Sequence, residues 1–565
     1  MQIIIPMSGF GERFRKAGFS VPKPLITIDD KPIIAYVIEL FSRDDEFIFV
    51  CNQDHLDNPS YDMLGVIRKY CPDGRVVGIG PHKLGPIHAV MQVQELIDLN
   101  QPVVINYCDF TCYWDWEHFQ NFVRESKCEG AIPAYRGFHP HTLGVTNYAY
   151  VREDSGWAKD IQEKMPYTDN RMEEYASSGT YYFFTGKLML EAFDFVIDND
   201  LNVGGEYYVS MAYKSLFKKN KSVAIYPLQH FMQWGTPEDL AEYLNWSKIF
   251  RKISLVNDAN STNQIGKSVP HGSVVLPMAG MGKRFAIEGY QVTKPLIELS
   301  GRPMVEQAMR LLPQGKSQSF VLRSDMLGCD DISNKLGKNY PNSHVCRIPN
   351  VTEGQACTAK LGLDELKSKG CLYEPITFGA CDYGAIYDLE KFNRLMTSPE
   401  VDILVWGVRG YPNATRFPEM FGWIDADSSS NIRHISVKKP LSNPIFDPIV
   451  LGSFTFRTSK IFEVAYQSMI DRNGRVNGEF YIDTLINDAI HLGYKCRLFE
   501  VDYLMSWGTP NDLRTFEYWQ SCFHKWSSHP YRLENDFLMP EDKISRLAEK
   551  YEKLTPQLPA VYRDS

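Results

Sequence analysis

The stretch IIIPMSGFGERFRKAGFSVPKPLITIDDKPII (residues 3–34) is the key to this chain because it occurs twice. Residues 274–305 read VVLPMAGMGKRFAIEGYQVTKPLIELSGRPMV, so Gly282 and Lys294 follow Gly11 and Lys23 at the same interval of 271 residues. Further along, NYCDF around Asp109 is echoed by GACDY around Asp382. GEYY (205–208) is echoed by GEFY (478–481), and QWGTPEDL (233–240) by SWGTPNDL (506–513), all at an interval of 273. Two unrelated domains would not keep this register; a duplicated unit with small loop insertions would.

Between the copies lies RKISLVNDANSTNQIGKSVPHG (251–272), polar and rich in Asn and Ser, the composition of a linker. The repeat therefore predicts a first domain over 1–250, a linker over 251–272 and a second domain over 273–526. EYLNWSKIFRK after the first GTPEDL and FEYWQSCFHKW after the second GTPNDL both read as amphipathic helices. A C-terminal tail, 527–565, carries the charged helical stretch EDKISRLAEKYEKL and has no partner in the first half. Within each copy, short β-branched runs such as IIIP, EFIFVCN and PVVINYCD alternate with longer helical patterns. That alternation predicts βαβ units and a largely parallel sheet, which binds ligands at the carboxyl ends of its strands.

Length and charge bound the function. At 565 residues the chain exceeds a single core, since cores stop growing near ~250–300 residues. A net charge of −9, with no Lys/Arg-dense run, argues against nucleic acid or an anionic membrane surface as partner. No apolar stretch approaches the ~18–20 residues that span a bilayer, and MQIIIPMSGFGERF lacks the basic and apolar regions of a secretory leader. A cytoplasmic enzyme is expected. The 12 cysteines contain no C-x-x-C, so buried reduced thiols are expected rather than a zinc site or a disulfide framework.

The glycine loop follows the first strand, where a tight turn opening onto a helix aims backbone N–H groups at an anion. A dinucleotide fingerprint wants a third glycine where Phe14 and Phe285 stand, and a Walker loop wants residues that Pro277 and Arg284 replace. What remains is G-x-G-x-R-F followed by P-K-P-L or T-K-P-L. This pattern resembles the signature of the sugar-phosphate nucleotidyltransferases, also called nucleotide-sugar pyrophosphorylases, and further family elements recur in order along both copies. The resemblance implies an α/β fold of two tandem Rossmann-like nucleotidyltransferase domains, each a mostly parallel, mixed sheet flanked by helices.

In that family a sugar 1-phosphate, or a similar phosphorylated alcohol, attacks the α-phosphorus of a nucleoside triphosphate and displaces pyrophosphate. By resemblance, Arg13 and Arg284 hold the β,γ-phosphates, while Lys23 and Lys294 contact the α-phosphate. Met7, Ser8, Gly9 and Gly11 bind the nucleotide in the first copy, and Met278, Ala279, Gly280 and Gly282 in the second. Gly85 and Pro86, against Gly354 and Gln355, form the loop near the nucleobase, where His88 reads as a structural histidine. Asp109 and Asp382 resemble the family aspartate that binds Mg²⁺, a hard ion suited to carboxylate and phosphate oxygens. The aspartate that many relatives carry before the late Gly-Thr is replaced by Gln233 and Ser506, and Asp502 stands nearby only in the second copy.

On the acceptor side, Lys164 in DIQEKMP resembles the lysine that meets the sugar phosphate, with Glu163 before it. The second copy keeps Lys438 but has Val437 in place of the glutamate. Glu206 and Glu479 would accept hydrogen bonds from acceptor hydroxyls, and Gly179 and Gly452 would bring backbone close to that ligand. The expected partners are an NTP and a phosphorylated sugar or polyol, and a homo-oligomer is left open. CTP is favoured over UTP, dTTP and GTP because TEGQACT (352–358) and the W-G-T-P ending resemble capsule-associated cytidylyltransferases. The alternative is that one or both halves serve as a non-catalytic, regulatory or scaffolding ligand-binding module.

Overall fold

A computed structural model describes residues 1–145, 147–255 and 270–553. Residues 256–269 of the expected linker and 554–565 of the expected tail lie outside the described residues. The chain divides into two compact units, Met1–Leu244 with the residues from Glu549 onward, and Asn245–Ala548.

In the first unit seven strands form the main part of a ten-stranded sheet that carries the site: β1 (Gln2–Met7), β2 (Glu46–Asn52), β3 (Arg75–Ile79), β4 (Val103–Asn106), β5 (Gly130–Tyr135), β6 (Thr180–Phe183) and β7 (Val223–Leu228). Their spatial order is β3-β2-β1-β4-β6-β5-β7. The second unit supplies β8 (Ser273–Pro277), β9 (Ser317–Arg323), β10 (Ser343–Ile348), β11 (Ile376–Phe378), β12 (Ile403–Val408), β13 (Ile449–Phe456) and β14 (Cys496–Glu500). Their order, β10-β9-β8-β11-β13-β12-β14, is the same. Among these seven strands of each sheet one, β6 or β13, runs antiparallel to both neighbours and the other pairs are parallel; three further strands in the first sheet and two in the second join it antiparallel. The sheet is thus mixed, with helices flanking it.

The central strands are buried along their whole length, as the continuous run IIIPM requires of a strand covered on both faces. Ile4, Ile105, Ile132, Phe183 and Ile225 share one core in the first unit. Val275, Phe378, Val405, Phe454 and Leu498 share another in the second. Two antiparallel ribbons stand beside these sheets, Phe110–Tyr113 with His230–Gln233 and Tyr383–Ile386 with Tyr503–Ser506. Among the described residues no helix is long and apolar enough to cross a membrane.

The expected domain limits shift at both ends of the second unit. The helix Pro237–Leu255 runs into the stretch read as linker, and the unit boundary falls within it, after Leu244. The reason is aromatic: Trp246 packs on Phe516 at 5.9 Å between centroids, and Phe250 on Tyr531 at 4.7 Å, so the helix end belongs to the second core. Residues 527–548 also belong to that unit rather than to a separate tail. Tyr531 Oη donates to Asp536 Oδ2 at 2.6 Å, and Gln520 Nε2 donates to the same oxygen at 3.2 Å. Leu538 N–H donates to the other carboxylate oxygen at 2.8 Å, and Gln307 and Arg310 donate to the carbonyls of Leu538 and Phe537. Burial raises the Asp536 carboxyl above its ordinary value, and these donors hold against that rise. Tyr531→Phe removes one donor from this buried carboxylate and is expected to cost about 1–3 kcal/mol, read as an earlier chemical-denaturation transition of the full chain.

Candidate active site

The glycine loop leaves the end of β1 and turns at Gly11, whose φ of +62° is a left-handed conformation that glycine adopts without strain. The helix that follows is a single short turn, Glu12–Lys16. Asn52, at the end of β2, braces the loop by donating from Nδ2 to the Ser8 carbonyl at 3.3 Å. Leu84 N–H donates to His82 Nδ1, which leaves the Nε2–H of His82 to donate to Ser8 Oγ at 3.1 Å.

Across the cleft, Lys23 opens the short Lys23–Leu25 turn, and its Nζ lies 2.8 Å from Asp109 Oδ2. Burial alone would lower the Lys23 ammonium, but the adjacent Asp109 carboxylate outweighs it and leaves the group above its ordinary value. Asp109 is held from behind, since its carbonyl accepts Trp234 N–H at 2.9 Å. A Cβ on Gly235 would come within 3.0 Å of Asp109 Oδ2, so glycine lets the G-T-P backbone pass the carboxylate. The neighbouring Cys108 thiol is pushed up to about 12 by burial, so Asp109 is the anion that faces Lys23.

The acceptor side forms a second chain of contacts. Lys164 has a φ of +59°, a strained setting for a lysine that recurs at functional positions. Its Nζ donates to Tyr208 Oη at 2.5 Å, and Tyr208 in turn donates to Glu206. Ser210 Oγ donates to Glu163 Oε2 at 2.6 Å. Burial raises the Glu163 carboxyl, with Ser210 and Lys164 opposing and the Glu206 charge adding to the rise. The nucleobase-side loop is stitched to this turn: Tyr207 N–H donates to the Leu84 carbonyl at 2.9 Å, and Ile87 N–H to the Tyr207 carbonyl at 3.1 Å. Gly85 permits that approach, because a Cβ there would sit 2.7 Å from the Tyr207 nitrogen.

These groups line one cleft of about 510 Å³. Met7, Ser8, Gly9, Gly11, Arg13, Lys23, Gly85, Pro86, Asp109, Lys164 and Glu206 all border it, as does Gln233. Gly179 does not. A Cβ there would meet the Tyr107 ring at 3.0 Å, so Gly179 seats Tyr107, which itself borders the cleft, rather than a ligand. Sequence reading passed over His82, Tyr107 and Tyr208; the G-E-Y-Y repeat could have signalled Tyr208, and nothing local marks the other two.

The second unit rebuilds the same contacts. Gly282 turns at a φ of +60° and precedes the single helical turn Lys283–Ile287. Arg323, the register equivalent of Asn52, donates to the carbonyls of Ala279 and Gly280 at 2.7 and 2.9 Å. Met278 and Ala279 are themselves buried, so they present backbone to the loop and side chains to the core. Lys294 Nζ lies 2.5 Å from Asp382 Oδ2 and 3.0 Å from the Gly508 carbonyl, and Trp507 N–H donates to the Asp382 carbonyl at 2.8 Å. Arg284 is exposed on the first turn after the loop.

Lys438 has a φ of +58°, and Tyr481 Oη donates to Glu479 at 2.5 Å. Gly354 crosses the Phe480 backbone as Gly85 crosses Tyr207, and Gln355 begins the helix Gln355–Ser368. Gly452 lies against the Tyr383 ring, as Gly179 lies against Tyr107. Asp502 stands at the end of its ribbon opposite Asp382: Tyr383 pairs with Ser506, whereas Asp502 N–H donates to Ile386. It therefore does not join the lysine–aspartate pair.

Among the described residues no cluster of three or more metal-ligating side chains exists. Beside the loop lysine of each unit stands one hard carboxylate, Asp109 or Asp382. That donor set fits magnesium, which is usually held by one or two carboxylates together with substrate phosphates and water.

Part of this chain is similar to known proteins. Residues 2–202 match the family model described as nucleotidyl transferase. Over 224 residues the chain is 25% identical to the bifunctional protein GlmU of Thermotoga sp. (strain RQ2), a match that takes in 38% of this chain and 44% of that protein. It is 22% identical over 249 residues to GlmU of Alkaliphilus metalliredigens, covering 43% and 51%. The chain thus spans about half the length of these curated relatives. Among solved structures, the nucleoside-diphosphate-sugar pyrophosphorylase of Vibrio cholerae RC9 aligns with a TM-score of 0.37 at 21% identity, over 43% of this chain and 98% of that one. The inositol-1-phosphate CTP transferase of T. maritima aligns with a TM-score of 0.34 at 14% identity, over 46% and 99%. Residues 2–202, which supply most of the lining of the first cleft, are thus similar to the nucleotidyl transferase family.

Proposed function

We propose that each unit transfers a nucleotidyl group from an NTP to a phosphorylated sugar or polyol, giving an activated diphosphate precursor and pyrophosphate. The observation that carries this reading is the lysine–aspartate pair, at 2.8 Å in one unit and 2.5 Å in the other, beside a glycine loop and an arginine in both. Two polyanions have to meet in such a reaction. Like charges ~4 Å apart repel by about 4 kcal/mol at an effective dielectric of ~20, so fixed cations are needed before the phosphates can approach in line.

The acceptor's phosphate oxygen forms a bond to the α-phosphorus of the NTP, the bond from that phosphorus to the β-phosphate bridging oxygen breaks, and pyrophosphate leaves with the electron pair. Lys23 or Lys294 neutralises the α-phosphate as charge builds on it, and Arg13 or Arg284 forks onto the leaving β,γ-phosphates. Lys164 or Lys438 holds the acceptor phosphate, while Glu206 or Glu479 receives acceptor hydroxyls. Asp109 and Asp382 are the residues that would hold Mg²⁺, which when bound shields the triphosphate charge.

CTP is favoured for the second unit by the TEGQACT element, and a role in capsule or other surface polysaccharide synthesis follows from the same resemblance. The alternative, a half that only binds ligand, would be expected to lose the Arg, Lys and Asp set, yet both halves retain it.

Incubating the full chain with four NTPs against a panel of sugar 1-phosphates and polyol phosphates is expected to release pyrophosphate for at least one pair; silence across the matrix would contradict the reading. Asp109→Asn and Asp382→Asn should each remove a separate activity, with a loss of at least about 100-fold in kcat and unchanged thermal unfolding. EDTA should abolish release and added Mg²⁺ restore it.

A further inference from the structure

Where the two acceptor sites differ, they differ in a coordinated way. In the first unit Glu163 ends the strand Trp157–Glu163 and pairs in register with Ala149. Ser210, four residues after Glu206, donates to its carboxylate. In the second unit Val437 ends the strand Ile432–Val437 and pairs in register with Gly422. The position four residues after Glu479 is Asp483, in the first turn of the helix Ile482–His491. The lysines that follow the two strands match closely: both have positive φ, and their N–H groups donate to Tyr148 and Phe421 at 2.8 and 3.0 Å.

Three positions have therefore changed together, from Ala149, Glu163 and Ser210 to Gly422, Val437 and Asp483. Space explains the glycine: a Cβ on Gly422, where Ala149 carries one, would come 2.5 Å from Asp483 Oδ2. One carboxylate beside the acceptor lysine is kept, but it has moved from the strand end to the facing helix and has lost one methylene.

Resting on the transferase reading, we propose that Asp483 is a second acceptor-orienting carboxylate of the second unit, beside Glu479. It accepts a hydrogen bond from a hydroxyl of the phosphorylated sugar or polyol that Lys438 holds. Because it comes from a different wall than Glu163, the second unit selects a different hydroxyl arrangement from the first. Burial raises the Asp483 carboxyl to about 6, with the Lys438 charge opposing the rise. A carboxylate so placed gains from a hydroxyl donor more than an exposed one does.

The test uses the full chain carrying Asp109→Asn, so that pyrophosphate release reports the second unit. The best NTP and acceptor are found from the same panel of sugar 1-phosphates and polyol phosphates. Asp483→Asn and Asp483→Ser should each raise the acceptor KM by about tenfold or more while the NTP KM stays within about twofold. The triple variant Gly422→Ala, Val437→Glu, Asp483→Ser should restore turnover, with its acceptor preference shifted towards that of the first unit measured in the Asp382→Asn chain. An unchanged acceptor KM in Asp483→Asn, or a loss confined to kcat that the triple variant does not reverse, overturns this inference alone. No release from the Asp109→Asn chain with any pair overturns the transferase reading of the unit and this inference with it.

Discussion

The site in each unit depends on a lysine held against an aspartate in a partly buried cleft, Lys23 with Asp109 and Lys294 with Asp382. The aspartate outweighs the burial that would lower the lysine, in the first unit and the second alike. On the proposed transferase reading, the pair stores a cation where a phosphate would be received, and a carboxylate where a divalent ion would sit. Its members come from distant elements, a loop after the first strand and the turn before the ribbon, and a third element, the G-T-P segment, presses its glycine backbone against the carboxylate. The sheet order common to both units serves to bring these three together.

Much of this was legible in the sequence because the chain supplies its own comparison. The repeat at intervals of 271 and 273 separated the positions both copies keep, Gly11, Lys23, Asp109, Glu206 and Gly235 with their partners, from the loops that drift. Strand-like runs ending in Asp109 and Asp382 pointed to the carboxyl edge of a sheet, where those residues lie. Illegible were features made by distant contacts. The domain limits moved because Trp246 and Phe250 pack on aromatics some 270–280 residues later, a contact that periodicity does not show. Gly179 and Gly452 read as ligand contacts because only coordinates show the tyrosine rings in front of them. Asp502 stands four residues before Ser506 in sequence, but antiparallel pairing puts it at the other end of the ribbon from Asp382.

The two units differ in the walls around a common charge pattern. The loop brace is Asn52 in one and Arg323 in the other, and the nucleobase side presents His82, Ser8 and Pro86 in one and Gln355 after Gly354 in the other. Backbone geometry is the more stubborn part: the positive φ at Lys164 and Lys438 and the crossing of Gly85 and Gly354 over the acceptor turn survive where the surrounding side chains have changed. Duplication of this kind leaves the phosphate chemistry in place and frees the two ends of the cleft to diverge.

The most direct measurement of the central claim is the binding stoichiometry of a non-hydrolysable nucleoside triphosphate with Mg²⁺, by titration calorimetry on the full chain. Two charge-neutralising clefts predict two equivalents per chain, reduced to one by Lys23→Met and to the other one by Lys294→Met. A stoichiometry unchanged by either substitution, or no binding of any of the four triphosphates, would contradict it.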